Sequence, residues 1–160
     1  MKRSNVSVAL LSLLVTIAVL SAGCSSDNQS ASEALNMASM ADMPADVQAA
    51  PVSVQEAYRF AAANPEVLTQ IPCYCGCGAM GHTSNYACYV SGANDDGSLA
   101  FDAHALGCSI CVDITQDTMR LLQDGKSVPE IRAYVDQTYA QYGPSNMPPV
   151  DATPGVNNAP

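Results

Sequence analysis

Tryptophan is absent, phenylalanine occurs twice, and six lysines and arginines stand against fifteen acids in 160 residues. So few basic side chains argue against nucleic-acid binding, because neutralising phosphates requires a basic face. There is no Ser/His/Asp set and no glycine-rich phosphate loop, so hydrolytic or phosphoryl-transfer catalysis has no visible machinery. No repeat of fixed period is present, which removes solenoids and propellers. The only long apolar run is Val6 to Leu20. What the chain has in excess is cysteine: six of its seven lie between Cys73 and Cys111.

The apolar run follows Lys2 and Arg3 and leads to Leu20-Ser21-Ala22-Gly23-Cys24. Residues 1–23 read as a secretory signal, too short with these flanks for a comfortable membrane span. Ala-Gly-Cys resembles the end of a lipoprotein signal, in which Cys24 is acylated (palmitate-type chains) and becomes the mature N-terminus. Ser21 stands where an apolar residue is usual, so simple secretion or a retained anchor are the alternatives. Covalent lipid contributes about 0.8 kcal/mol per buried CH₂, and several chains would hold the protein on the extracytoplasmic face of the cell membrane. Removing residues 1–23 removes both basic residues and no acid, leaving a formal charge of −11. Such acidity favours solubility and draws cations locally.

The chain is organised around Pro72-Cys73-Tyr74-Cys75-Gly76-Cys77-Gly78, with Gly81-His82 and Cys88 behind it. On an extended backbone, alternate residues point to one side, and the glycines let the chain curl. His104, Cys108 and Cys111 supply a second set. With Cys24 assigned to lipid, six cysteines remain, an even number that allows a disulfide framework with 15 connectivities. Alternate strand residues are about 6.6 Å apart at Cα, and one of three closely spaced cysteines must always pair elsewhere. A metal site tolerates that crowding, since each thiolate need only come within about 2.3 Å of a zinc-like ion. The eight candidate ligands are Cys73, Cys75, Cys77, His82, Cys88, His104, Cys108 and Cys111. They suffice for two four-coordinate ions or one small thiolate-bridged cluster. Asp102 and Asp113 are placed to orient an imidazole, and Tyr74 and Tyr89 to shield the site.

The runs PCYCGCGAMGHTSNYACYV and FDAHALGCSICVDI, within a match from about Ala57 to Tyr142, resemble the family of bacterial lipoproteins named after the PCYCGC motif. That resemblance implies a shared domain and a surface lipoprotein, and no established activity. More weakly, CSIC followed by LLQDGKSVPEIRAYVDQTYAQYG is similar to the CxxC-bearing subunit of the cytochrome c maturation haem lyase. It lacks the Arg and Pro of that family around the cysteine pair, so it carries a fold-level analogy only.

Around the cluster the pattern is helical. Residues 24–52, rich in Ser, Ala, Asp, Asn and Gln, read as a flexible tether. Within it Met37, Met40 and Met43 are spaced by three, an auxiliary set of thioethers of the kind that selects monovalent copper. Ser53 to Glu56 fits a capping box opening a helix to about Ala63. Asn64-Pro65 starts another, to about Gln70. Tyr86 to Val90 and Leu99 to Phe101 suit a small hairpin across the polar turn 91–98. Helices follow from the 110–122 pattern, stopped at Asp124-Gly125, and from Ser127 to about Tyr139. Residues 144–160 read as a disordered tail. The expected fold is a small, mainly α domain over 53–143, with an irregular Cys/His-rich centre and a C-terminal helical hairpin.

The functional expectation is a membrane-anchored, extracytoplasmic protein binding a soft ion, Cu(I) before Zn, for trafficking, storage or detoxification. An iron–sulfur cluster suits the spacing poorly. The rivals are a thiol–disulfide redox protein acting through Cys108 and Cys111, and a disulfide-stapled interaction module. The sequence names no protein partner.

Overall fold

The structure, a computed structural model, describes residues 34–149. The expected signal segment, Cys24 and the end of the expected tail lie outside the described residues. Helix α1 is Ala45–Gln48, α2 Val52–Ala63, α3 Pro65–Leu68, α4 Ser109–Gln123 and α5 Val128–Tyr139; strands β1 (Val90–Ala93) and β2 (Leu99–Phe101) pair antiparallel. The protein is mainly α. Among the described residues no helix is long and apolar enough to cross a membrane.

Helix α4 is the central support, packing against α2 on one side and α5 on another. Its apolar residues Ile114, Leu121 and Val112 are buried beside Cys111, as an amphipathic face at helical spacing requires. Between the helices lie Tyr58, Phe60, Leu68, Ile71, Ile131 and Val135, all fully buried. Tyr58 meets Tyr89 edge-on with ring centroids 5.0 Å apart, a favoured aromatic geometry.

The helix ends follow their sequence signals unevenly. Gly125 has φ 76°, and the Lys126 and Gly125 amides return to the carbonyls of Leu121 and Leu122, closing α4 as a glycine-terminated Schellman turn. Ser127 and Glu130 form the reciprocal capping box of α5. At α2 the expected capping box does not form: the helix starts at Val52 behind Pro51, with no side-chain cap. Pro51 itself takes the N-cap position, so Ser53 falls inside the helix. Asn64 precedes α3 as expected but donates instead to the carbonyls of Asn36 and Phe60.

Those Asn64 bonds expose a correction to the expected tether. From Asn36 the chain is packed on the domain: the Ala38 amide donates to the Arg59 carbonyl, and Arg59 Nε returns to Ala38 O at 2.7 Å. Met43 and Val47 are buried, 4 % and 1 % exposed, while Met37 and Met40 pack at the edge of the core. Met37 lines a concavity with Glu56 and Met119, whereas Met43 lines another with Ala62 and Phe101. All three methionines thus pack on the core, and Met37 and Met43 line different concavities. The tail is corrected likewise at its start, because Asn146 is bonded into the cysteine loop. The hairpin forms later than expected: Tyr86–Cys88 is a 3-10 turn, and β1 opens only at Val90.

Candidate metal centre

The cysteine segment leaves α3 through Ile71 and Pro72 and stays irregular through Cys75. Gly76, at φ 82°, reverses it into the 3-10 turn Cys77–Met80, closed by Gly81 at φ 91°. The left-handed backbone at these two positions is open to glycine at no steric cost. The expected alternation of three sulfurs along a strand is thus replaced by a fold-back. Cys73 and Cys75 face α4, and Cys77 turns toward Cys88. Gly78 has an ordinary φ and serves another purpose: a Cβ there would lie 3.3 Å from Cβ of Asn146.

All eight expected donors come together. Cys73 Sγ lies 3.3 Å from Cys111 Sγ and 3.4 Å from Cys75 Sγ; Cys75 lies 3.6 Å from Cys111; Cys77 and Cys88 are 3.6 Å apart. His104 Nε2 is 3.4 Å from Cys75 Sγ. These separations exceed a disulfide bond of about 2.05 Å. They approach the spacing of about 3.8 Å between vertices of a tetrahedron with 2.3 Å metal–sulfur bonds. The six described cysteines are free thiols, so the disulfide-stapled reading is overturned. Four-donor groups arise twice, as Cys75, His104, Cys108, Cys111 and as Cys77, His82, Cys88, His104, each with its donor atoms within 4.8 Å of one another.

The surroundings hold these groups in place. Cys108 is the N-cap residue of α4 and Cys111 stands in its first turn. The Cys111 carbonyl is gripped by the Tyr89 hydroxyl at 2.8 Å and by Asn85 Nδ2 at 3.2 Å. Thr115 donates to Asn85 Oδ1, completing a buried polar clamp. Asp102 serves both histidines: Oδ2 lies 3.5 Å from His82 Nε2, and Oδ1 accepts the His104 amide at 2.7 Å. The Asp102 carbonyl in turn accepts the Tyr58 hydroxyl at 2.7 Å. With Nε2 turned to Asp102, His82 Nδ1 is buried and has no hydrogen-bond partner. A buried unpaired nitrogen is costly, and a carboxylate behind the far nitrogen is the usual support of a metal-bound imidazole. Asp113, the other expected orienter, is exposed on the outer side of α4.

Asn146 is the residue that sequence reasoning missed. Its Oδ1 accepts the Cys73 amide at 2.7 Å, its amide donates to the Cys73 carbonyl, and its Nδ2 faces Cys77 Sγ at 3.6 Å and the His82 carbonyl at 3.1 Å. The only signal was the Gly143-Pro144 break that turns the chain back. Tyr74, expected to shield the centre, is buried with its hydroxyl on Asp136, and burial followed by that carboxylate pushes its pKa up to about 12.

Cys73, Cys75, Cys77, Cys88 and Cys111 shift one another's protonation. Hydrogen bonds from Cys111 and then Cys88 lower the Cys73 pKa to about 2, making it the favoured thiolate. Burial, and next the Cys73 charge, hold Cys75 and Cys77 up. Cys111 is raised first by its bond to Cys73 and then by its bond to Cys88. Because its sulfur is shared with the PCYCGC segment, Cys111 is not reserved for an exchange pair with Cys108.

The fold and the centre define a small, mainly α, Cys/His-rich protein whose donors could hold a metal ion. The family model described as "Protein of unknown function with PCYCGC motif" matches residues 13–151, and the chain belongs to that family. No curated protein and no solved structure matches the chain. The similarity of 108–143 to the haem-lyase subunit finds no support; the shared feature is a helix pair, which many unrelated domains contain.

Proposed function

We propose that this protein binds a soft metal ion, Cu(I) before Zn(II), at the Cys/His centre, as a lipid-anchored protein on the extracytoplasmic face of the membrane. Its role there is trafficking, storage or detoxification of the ion. One observation carries the reading: six free thiols and two imidazoles fall into groups whose donor atoms lie within 4.8 Å of one another, and the His82 Nδ1 is buried without a hydrogen-bond partner. A donor set dominated by thiolate suits Cu(I) or zinc and excludes the hard, oxygen-seeking ions. The signal segment ending at Cys24 and the acidic mature chain support the placement at the membrane.

Elemental analysis of the mature protein purified anaerobically tests the metal, followed by Cu(I) and Zn(II) competition against chelators of known affinity. Bound copper or zinc, or tight uptake of either by the reduced protein, is the expected result. No bound metal and no uptake defeats the proposal. Intact mass of the membrane fraction, before and after Cys24→Ser, tests the anchor.

A further inference from the structure

We infer that the eight donors form two adjoining metal positions of unequal accessibility, and that the outer ion is the one exchanged with a partner or chelator. The inference rests on the metal-binding reading and adds to it the number, assignment and order of the ions.

The mutually close donor groups contain four atoms at most, so no single ion is within reach of the whole set. Both four-donor groups claim His104. Its Nε2 lies 3.4 Å from Cys75, which assigns it to the position formed with Cys108 and Cys111. The other position then retains Cys77, His82 and Cys88 and needs a fourth donor. Cys73 is the one residue left; it lies in one close group with Cys88 and in another with Cys77. Each of the eight donors is thereby used once. Cys73 also touches Cys75 and Cys111 at 3.4 and 3.3 Å, so the inner position lies directly against the outer one. The rings of His82 and His104 meet edge-on, centroids 5.1 Å apart, across the same junction.

Burial then ranks the two. In the inner set Cys73, Cys77 and Cys88 are 0, 1 and 0 % exposed, and only His82 is part-exposed. In the outer set Cys75, His104 and Cys108 are all part-exposed, and only Cys111 is buried. Ligand exchange needs an incoming donor to reach the ion before an outgoing one leaves, so the outer position exchanges first. Cys108 is the natural point of attack, because it caps α4 and its side chain makes no capping bond.

The test loads the reduced mature protein with Cu(I), and separately with Zn(II), under anaerobic conditions. Native mass spectrometry reads the stoichiometry, and removal by a water-soluble chelator reads the rates. Two ions are expected, one removed rapidly and one slowly. Cys108→Ser retains a serine suited to the N-cap position; it should bind one ion, lost at the slow wild-type rate. His82→Ala, with its fold checked by circular dichroism, should keep the fast ion and lose the slow one. Saturation of the wild type at one ion, removal of two ions at a single rate, or loss of both ions in Cys108→Ser overturns the two-position layout while leaving metal binding intact. Binding of no ion at all refutes instead the proposed function beneath it.

Discussion

At the scale of single residues, Asp102 does most to connect the scaffold to the chemistry. One carboxylate oxygen orients His82, the other fixes the backbone of His104, and its carbonyl is anchored by Tyr58. Removing such an outer support typically costs 10- to 100-fold in metal affinity. We therefore expect Asp102→Ala to weaken binding by about that factor in chelator competition while its far-UV spectrum stays native. Proton balance gives a second prediction at this scale. Burial and the Cys73 thiolate raise the Cys75 and Cys77 pKa values, and the Cys73 bond raises that of Cys111. These thiols are protonated at neutral pH and must lose protons to become ligands. Metal uptake should release several protons per chain, and apparent affinity should rise with pH between about 6 and 8. Calorimetry in buffers of different ionisation enthalpy measures that release; a pH-independent affinity would contradict it.

Elements set the register of these residues, and two glycines separate a local role from a central one. Gly125 ends α4 at φ 76° with open space around it, so Gly125→Ala pays only the left-handed backbone cost of about 1 kcal/mol. It should lower the melting temperature modestly and leave metal binding unchanged. Gly143 is different: a Cβ there would sit 2.9 Å from the Tyr74 carbonyl, an immovable backbone atom within the PCYCGC run. Gly143→Ala must shift either the chain end or the cysteine loop. We expect a larger loss of stability in denaturant titration, together with weakened metal binding. The contrast also explains what was legible. Glycine, capping and helical periodicity revealed α4 and α5 nearly to the residue, since those signals act within one turn of chain. They did not reveal the bond from Arg59 to Ala38 or from Asn146 to Cys73, because those groups meet only after the helices pack. The stretch from Asn36 to Gln48 looked like a tether for that reason: its burial depends on single residues, Met43 and Val47, spaced four apart.

For the molecule as a whole, stability should follow both metal and pH. An ion bound by the folded chain alone stabilises it by about 2.7 kcal/mol at one hundred times its Kd, so chelation should lower the unfolding midpoint and reloading restore it. At alkaline pH the buried phenols act in the opposite direction. Burial raises Tyr58, Tyr89 and Tyr139 above the usual value of 10.0. A raised folded-state pKa contributes stability that is complete below the unfolded value and is lost as pH climbs past it. Unfolding with a cooperative rise in tyrosinate absorbance is expected above about pH 10; gradual, independent ionisation in a still-folded chain would count against this.

The amino-acid order alone determined which residues are candidate donors and which segments are helices. Cysteine and histidine are chemically conspicuous wherever they stand, and helix signals are local. Only the tertiary structure decided that Cys73 lies against Cys111 on a distant helix, that His82 shares its carboxylate with His104, and that Asn146 returns to hold the loop. Those pairings join residues up to 73 positions apart, and they exist because α2, α4 and α5 bury one common core that brings the irregular segment onto the N-terminus of α4.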